Sequence, residues 1–480
     1  MSPSQSLKEE MKLHEVSLQE AITLLRSKRA SSVELVNVFL ERIKKYNPKL
    51  HAFITVRDEQ EIIAEATKAD QERAKGSDRL LLGIPIVLKD NFLTQGLRTT
   101  AASKVLDDYI PQYDATAVSR LKNAGAIILG KTNLDAWGHG SSGEHTEYGI
   151  TRNPYDYERV TGGSSSGSGA AVASDLCIAA TGTDTGGSNR QPASYCNLVG
   201  LKPTYGRVSR YGIIAMASTT DSIGHLTKRV WDSAAILSVT AGNDPLDATS
   251  STEQVQQYHK GIADKGRVKI GIPKEFFEGL ETKLVTKVWE ALNVLKARGH
   301  RLIEISLPNV KYAYAIYCVT VSSEVSSNLA RFDGIRYGFP RQRFQDEAKR
   351  RIMIGTHSLS AGYADQYYKR AIAGRTLLIR EFEEAFQKVD LIAGPVFPFP
   401  PFKHGEREKD PLKMYLSDVL TVPANLTGHP AISVPIGFVD NLPNGLQLIA
   451  PHFSETRLFR VSLEVEQELR MYERKPRLKQ

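Results

Sequence analysis

Cysteine is scarce in this chain of 480 residues, which has only Cys177, Cys196 and Cys318. An odd number, with no CxxC and no His-paired spacing, supports neither a disulfide framework nor a zinc site, and a reducing compartment is expected. Long apolar runs are also missing: no uninterrupted stretch approaches the ~18 residues that a membrane span needs. The first residues, MSPSQSLKEEMKLHEV, have no apolar core and carry several acids, unlike a secretory signal or a transit peptide. A cytoplasmic protein is the expectation. No solenoid-type repeat recurs. Neither sign of charge dominates, since 62 Lys and Arg against 54 Asp and Glu leave a net charge of +8. That balance suits an RNA or acidic partner without requiring one. With 41% hydrophobic and 24% charged residues the chain has the composition of a globular protein with a large core, which excludes a fibre or a disordered tail.

The apolar pattern predicts an α/β fold with a mixed sheet flanked by helices. Ser17 caps a helix over LQEAITLLRSK, and Ser31 with Glu34 three residues later forms a capping-box pattern for a second. Strands are predicted at His51–Val56, Gly83–Lys89, Ala126–Leu129 and Cys177–Gly182, alternating with helices at Glu59–Lys75 and Thr116–Ala124. Later come strands at Val268–Ile272, Leu302–Ile305, Asp390–Ala393, Ala431–Val434 and Leu446–Ile449, with helices at Leu284–Arg298, Tyr312–Ala330 and Gly362–Val389. GPVFPFPPF and the basic tail ERKPRLKQ read as loops. From Gly138 to Gly206 the chain is crowded with Gly, Ser and Thr. Interleaved Ala, Val, Ile and Leu segments set this tract apart from a flexible linker.

Two well-known motifs match in letters but not in context. Gly125–Thr132, GAIILGKT, fits the phosphate-loop pattern, yet its four central residues are the best strand candidate nearby, so a sheet ladder would occupy their amides. Gly163–Gly167, GSSSG, fits a hydrolase nucleophile elbow, but an elbow follows a strand and the preceding ERVTGG reads as loop.

A constellation is more specific than either word: Lys89 at a strand end, Gly162-Gly163-Ser164-Ser165, and Asp184-Thr185-Gly186-Gly187-Ser188. Serine is a weak nucleophile at neutral pH and needs a base, which a lysine neutralised by burial can supply. A second serine can relay the proton, and a glycine-rich turn lets consecutive amides converge on an oxyanion.

These blocks resemble the amidase signature family, with its Lys, cis-Ser, Ser triad. Ser164 follows Lys89 by 75 residues, and Ser188 follows Ser164 by 24, as in the family pattern. The resemblance implies the amidase signature fold in one domain over 1–480, with a signature core at about 80–240 and a helical excursion at about 310–390. It implies Ser188 as nucleophile, Ser164 as bridging serine, Lys89 as base, and the amides of Thr185, Gly186, Gly187 and Ser188 as oxyanion hole.

Further blocks, including GKTNLDAWGHGSSGEHTEYGITRNP, VGLKPTYGRVSRYGIIA and DPLKMYLSDVLTVPANLTGHPAISVPIG, are similar to the A subunits of tRNA-dependent amidotransferases. That narrower resemblance implies glutamine hydrolysis, with Tyr317, Arg351 and Asp418 binding substrate. It also implies B and C partner subunits, with ammonia passed to the B subunit, which holds tRNA and uses ATP and Mg²⁺. No metal or cofactor is expected in this chain. Charge supports the transfer: a glutamine site needs a cation for the α-carboxylate and an anion for the α-ammonium. The plain alternatives are that Lys349-Arg350-Arg351 form a solvated helix face and Asp418 is an ordinary helix acid, while Tyr312 and Tyr314 compete with Tyr317. A free-standing amidase acting on peptide or aryl amides is the alternative activity, and a non-catalytic scaffold protein the alternative class. The chain departs from the family at Ser165–Ala170, where SSGGSAAA is usual, at Asn189, where a small apolar residue is usual, and in a short segment, FPRQRFQDEA, before Lys349.

Overall fold

The computed structural model describes residues 12–262, 266–336, 338–407, 410 and 414–479. The reading of the N-terminal segment therefore falls largely outside the described residues, as does Tyr337 at the edge of the shortened segment. Thirteen strands are described: β1 (Phe53–Val56), β2 (Pro85–Lys89), β3 (Ile127–Thr132), β4 (Arg152–Asn153), β5 (Asp156–Val160), β6 (Ala179–Asp184), β7 (Val199–Lys202), β8 (Ser222–Thr227), β9 (Lys269–Pro273), β10 (Arg301–Ile305), β11 (Leu391–Pro395), β12 (Ala431–Val439) and β13 (Leu442–Ile449). Eleven form one sheet in the order β1-β3-β2-β6-β8-β7-β12-β13-β11-β9-β10, and β4 with β5 makes a separate ribbon. β3, β2 and β6 run parallel, as do β11, β9 and β10, while the pairs from β6 through β8, β7, β12 and β13 to β11 are antiparallel. The sheet is therefore mixed, as the apolar pattern predicts.

Strand alternation divides the apolar side chains between two cores. Leu391 and Ala393 enter one and Ile392 the other. The first core is covered by helices Leu18–Arg26, Ser32–Leu50, Val230–Thr240, Thr282–Ala297 and Glu455–Leu469, and the second by Ala313–Asn328 and Tyr368–Phe386. Both predicted caps form: Ser17 Oγ accepts from the Glu20 amide while Glu20 accepts from that of Ser17, and Ser31 and Glu34 repeat the arrangement. Ser166–Ala173 is helical although Gly and Ser fill half of it; all eight residues are buried, so packing outweighs propensity.

The structure differs from the sequence pattern at several points. The run read as a strand over Ala126–Leu129 extends from Ile127 to Thr132, so the phosphate-loop look-alike is sheet, with Lys131 buried 3.2 Å from Asp90. The residues before Gly162 are not loop, because β5 ends at Val160. The helix expected from Gly362 starts at Tyr368, after turns over 361–367, and is preceded by a separate helix at Asp346–Leu359. Gly394 and Pro395, read as loop, close β11.

Neighbouring parallel strands set up the site. β2 and β6 pair at Ile86–Ala179 and Val87–Ala180, a register that carries Lys89 alongside Gly182, two residues before β6 ends at Asp184. The Lys89 amide donates to Thr181 Oγ1 at 3.0 Å, which fixes where the lysine side chain begins.

Candidate active site

Lys89 is fully buried, and its Nζ donates to Ser164 Oγ at 2.8 Å, Ser165 Oγ at 3.0 Å and Thr183 Oγ1 at 2.8 Å. Burial pulls its pKa down to about 7, against the opposing pull of Asp135, Asp184 and Asp221. Desolvation outweighs three carboxylates because they are placed to serve other groups. Asp135 receives the amides of Gly143 and His145, and Asp184 is engaged by Arg190. Asp221 accepts from Thr185 Oγ1 at 2.6 Å and from the amides of Met216 and Ala217. The lysine thus sits among hydroxyls, in a setting that makes its neutral form accessible near neutral pH.

The Gly163–Ser164 peptide is cis. The carbonyl of Ser164 accepts from the Asp135 amide at 3.1 Å, which ties the serine loop to the end of β3. Ser188 follows β6 after the three-residue turn Thr185–Gly187 and is 7% exposed. Its carbonyl accepts from the Ser165 amide at 3.2 Å, so the two serine-bearing loops are joined. Gly187 has φ +144, and a Cβ there would lie 2.4 Å from Thr421 Oγ1, so the turn admits no other residue without distortion. Among the described residues the amides of Gly186, Gly187 and Ser188 donate to no protein acceptor, and the Ser188 hydroxyl has no protein partner. Three free amides beside a free hydroxyl suit a tetrahedral oxyanion.

The turn is braced from below. Asp184 and Arg190, both fully buried, pair through two bonds of 2.9 and 3.0 Å, and Asn425 Nδ2 adds another to Asp184 Oδ1. Burial works against the Asp184 charge, but Arg190 holds its pKa down to about 2. Asn189, a departure from the family pattern, is fully used: its amide donates to Asp184, its Nδ2 to the Leu201 carbonyl, and its Oδ1 accepts from Ser165 Oγ.

The three expected recognition residues come from distant segments. Tyr317 is buried, and a Cβ on Gly186 would lie 2.8 Å from its hydroxyl, which puts the ring against the Thr185–Gly187 turn. Tyr312 is 54% exposed and Tyr314 packs on Tyr415, so neither competitor takes that place. Arg351 is 6% exposed, which excludes the solvated-face reading. Its Nε donates to Glu347 Oε1 at 2.7 Å; burial opposes the charge, but Glu347 and Tyr317 keep the guanidinium cationic. Asp418 is 5% exposed in the turn Leu416–Asp418 and is no ordinary surface acid. It accepts from Ser141 Oγ at 2.6 Å and Gln191 Nε2 at 2.7 Å, and burial raises its pKa to about 6.

Sequence reasoning singled out Ser165 without giving it a role, and missed Thr183, Asp221, Arg190, Ser141 and Gln191. Arg190 and Gln191 lie directly after the signature block, where a charged and an amide residue amid small ones were the available signal. Nothing local marks Ser141 or Asp221. Among the described residues, no cluster of three or more His, Cys, Asp or Glu side chains is arranged to hold a metal ion, and no helix is long and apolar enough to cross a membrane.

The sequence pattern of the amidase family matches residues 34–459. The chain is 48% identical to the A subunit of the glutamyl-tRNA(Gln) amidotransferase of Geobacillus thermodenitrificans, over 97% of this chain and 100% of that one. It is also 48% identical to the protein of the same name from Geobacter metallireducens, over 95% and 98%. Among solved structures it is similar to the A subunit of the glutamyl-tRNA(Gln) amidotransferase of Thermotoga maritima, with TM-score 0.82 and 38% identity over 98% and 99% of the two chains. It is also similar to 6-aminohexanoate cyclic dimer hydrolase, with TM-score 0.86 and 27% identity over 98% and 100%. Backbone shape therefore does not separate the two activities, whereas sequence identity does.

Proposed function

The chain belongs to the amidase family, and on that footing we propose that it is the glutaminase subunit of a tRNA-dependent amidotransferase. The observation that carries this reading is the 48% identity, spread over 97% of the chain, to relatives bearing that name. The site supports it with a buried lysine, two serines, three free amides and, beyond them, a buried cation and a buried anion.

In this reading Ser188 Oγ attacks the side-chain carboxamide carbon of glutamine. Its proton passes through Ser164 to neutral Lys89, and the developing oxyanion is held by the amides of Thr185, Gly186, Gly187 and Ser188. Collapse breaks the carbon–nitrogen bond as the proton returns to the leaving nitrogen, which departs as ammonia. Water then adds to the γ-glutamyl ester with the same base and releases glutamate, regenerating Ser188. Arg351 takes the α-carboxylate, Asp418 the α-ammonium, and Tyr317 closes the pocket against Gly186. Ammonia freed into water would be protonated, so a partner B subunit receives it and amidates Glu-tRNA(Gln), with Asp-tRNA(Asn) as a second candidate, at its own ATP- and Mg²⁺-dependent site. A C subunit joins the two, tRNA is held mainly by the B subunit, and the complex works in the cytoplasm.

The test is ammonia release from glutamine by the chain assembled with its host's B and C subunits. Ser188→Ala should abolish release, and Arg351→Ala should raise the KM for glutamine about tenfold or more. Turnover of simple aryl or peptide amides without release from glutamine would replace this reading with a free-standing amidase.

A further inference from the structure

His139 is 1% exposed, yet neither of its ring nitrogens has a protein partner. Each unpaired buried polar atom costs about 1–3 kcal/mol, so an imidazole with two such atoms calls for a group that the protein does not supply. Its place in the chain says where that group would be. On one side, a Cβ on Gly138 would lie 3.8 Å from Ser164 Oγ. On the other, Ser141 Oγ donates to Asp418. The loop holding His139 therefore runs from the catalytic serines to the recognition residues. The loop is fixed rather than free: Trp137, at φ +62, donates its amide to the Ala101 carbonyl and its ring packs on Phe332 and Phe344.

Charge indicates which end of the substrate His139 meets. After burial, the nearby Arg351 guanidinium is the main influence disfavouring a protonated imidazole, and His145 adds to it. A neutral imidazole beside a cation keeps one N–H to donate. Arg351 has committed Nε to Glu347 and can pair a carboxylate through its remaining nitrogens, and the other lone pairs of that carboxylate can still accept a further donor. A neutral N–H to a carboxylate is a charge-assisted bond that adds no positive charge to a site holding Arg351.

We propose that His139 is a specificity-determining residue that donates a hydrogen bond to the α-carboxylate of the substrate amino acid, alongside Arg351. This rests on the glutaminase reading and deepens it, because it assigns discrimination between an α-amino acid amide and an amide without the carboxylate to an imidazole.

The experiment compares glutamine with 4-aminobutanamide, which keeps the carboxamide and amine but lacks the carboxylate, using the chain assembled with its partner subunits. In His139→Ala the ratio of kcat/KM for glutamine to that for 4-aminobutanamide should fall about tenfold or more, mainly through the KM for glutamine. His139→Gln or His139→Asn should restore part of the ratio, according to which ring nitrogen donates. A merely structural role lowers both substrates together, and an unchanged ratio in an active assembly overturns the assignment while leaving the glutaminase reading intact. A wild-type assembly inert toward glutamine overturns both. If His139→Ala assembles poorly, His139→Met, which fills similar volume without an N–H, carries the same comparison, and an unchanged ratio there refutes the proposal.

Discussion

At the scale of single residues, the site is governed by what burial does to charge. Lys89 has its pKa brought down to about 7 by desolvation, and its neutral form is the proposed base. Since the protonated form prevails below that value, kcat for glutamine should rise with pH through about 7, with about one-tenth of the plateau left at pH 6. A kcat flat between pH 6 and 9 would refute the base assignment. Asp418 moves the other way, its pKa raised to about 6 by burial, and its proposed role requires the anion. The KM for glutamine should therefore increase as pH drops below about 6, and Asp418→Asn should remove that limb from the KM profile. Lys89, Ser164 and Ser188 could be singled out in the sequence because few residue types suit the proposed chemistry and their spacing matches the amidase signature pattern, and the fold brings Lys89 to 2.8 Å from Ser164. Thr183 and Asp221, and the contact of Ser165 with Lys89, were not legible, because serine, threonine and aspartate are common and only the folded chain brings them to Lys89 or to the turn.

At the scale of elements, legibility follows local self-sufficiency. The helices at Leu18 and Ser32 could be read from their capping boxes, since a cap is a contact across three residues. Ser31→Ala should lower stability by about 1 kcal/mol, seen as a small drop in the thermal midpoint, with ammonia release at 25 °C unaffected. By contrast the Ser166–Ala173 helix, β7 and β8 have poor local signals and form where neighbours enclose them on all sides. The nucleophile turn is an element in its own right. Gly186→Ala would set a methyl group 2.8 Å from the Tyr317 hydroxyl and push the turn away from it. Displacement of the free amides should reduce kcat about a hundredfold, a loss of the size expected when an oxyanion donor is misplaced. Retention of wild-type kcat would show that the amides of the turn do not bear on the reaction.

At the scale of the whole molecule, the mixed sheet was legible as a class, but its order was not, because β12 and β13 insert between β7 and β11 from far along the chain. The same long-range return builds the node under the active site. Arg190 is bonded to Asp184, to the Thr421 carbonyl, to Asn425 and to Gln447, all fully buried. Arg190→Met leaves the Asp184 carboxylate without its counter-charge, and such a loss costs about 3–5 kcal/mol. The urea midpoint should fall accordingly, and a midpoint equal to wild type would mean that the node contributes little. This node also sets a clock on synthesis. A nascent chain that has emerged only as far as residue 400 already contains Lys89, Ser164 and Ser188, but it lacks Thr421, Asn425 and Gln447, to which the nucleophile turn and Arg190 are fastened. These fastenings of the turn and of Arg190 can therefore form only once translation of the chain is nearly finished.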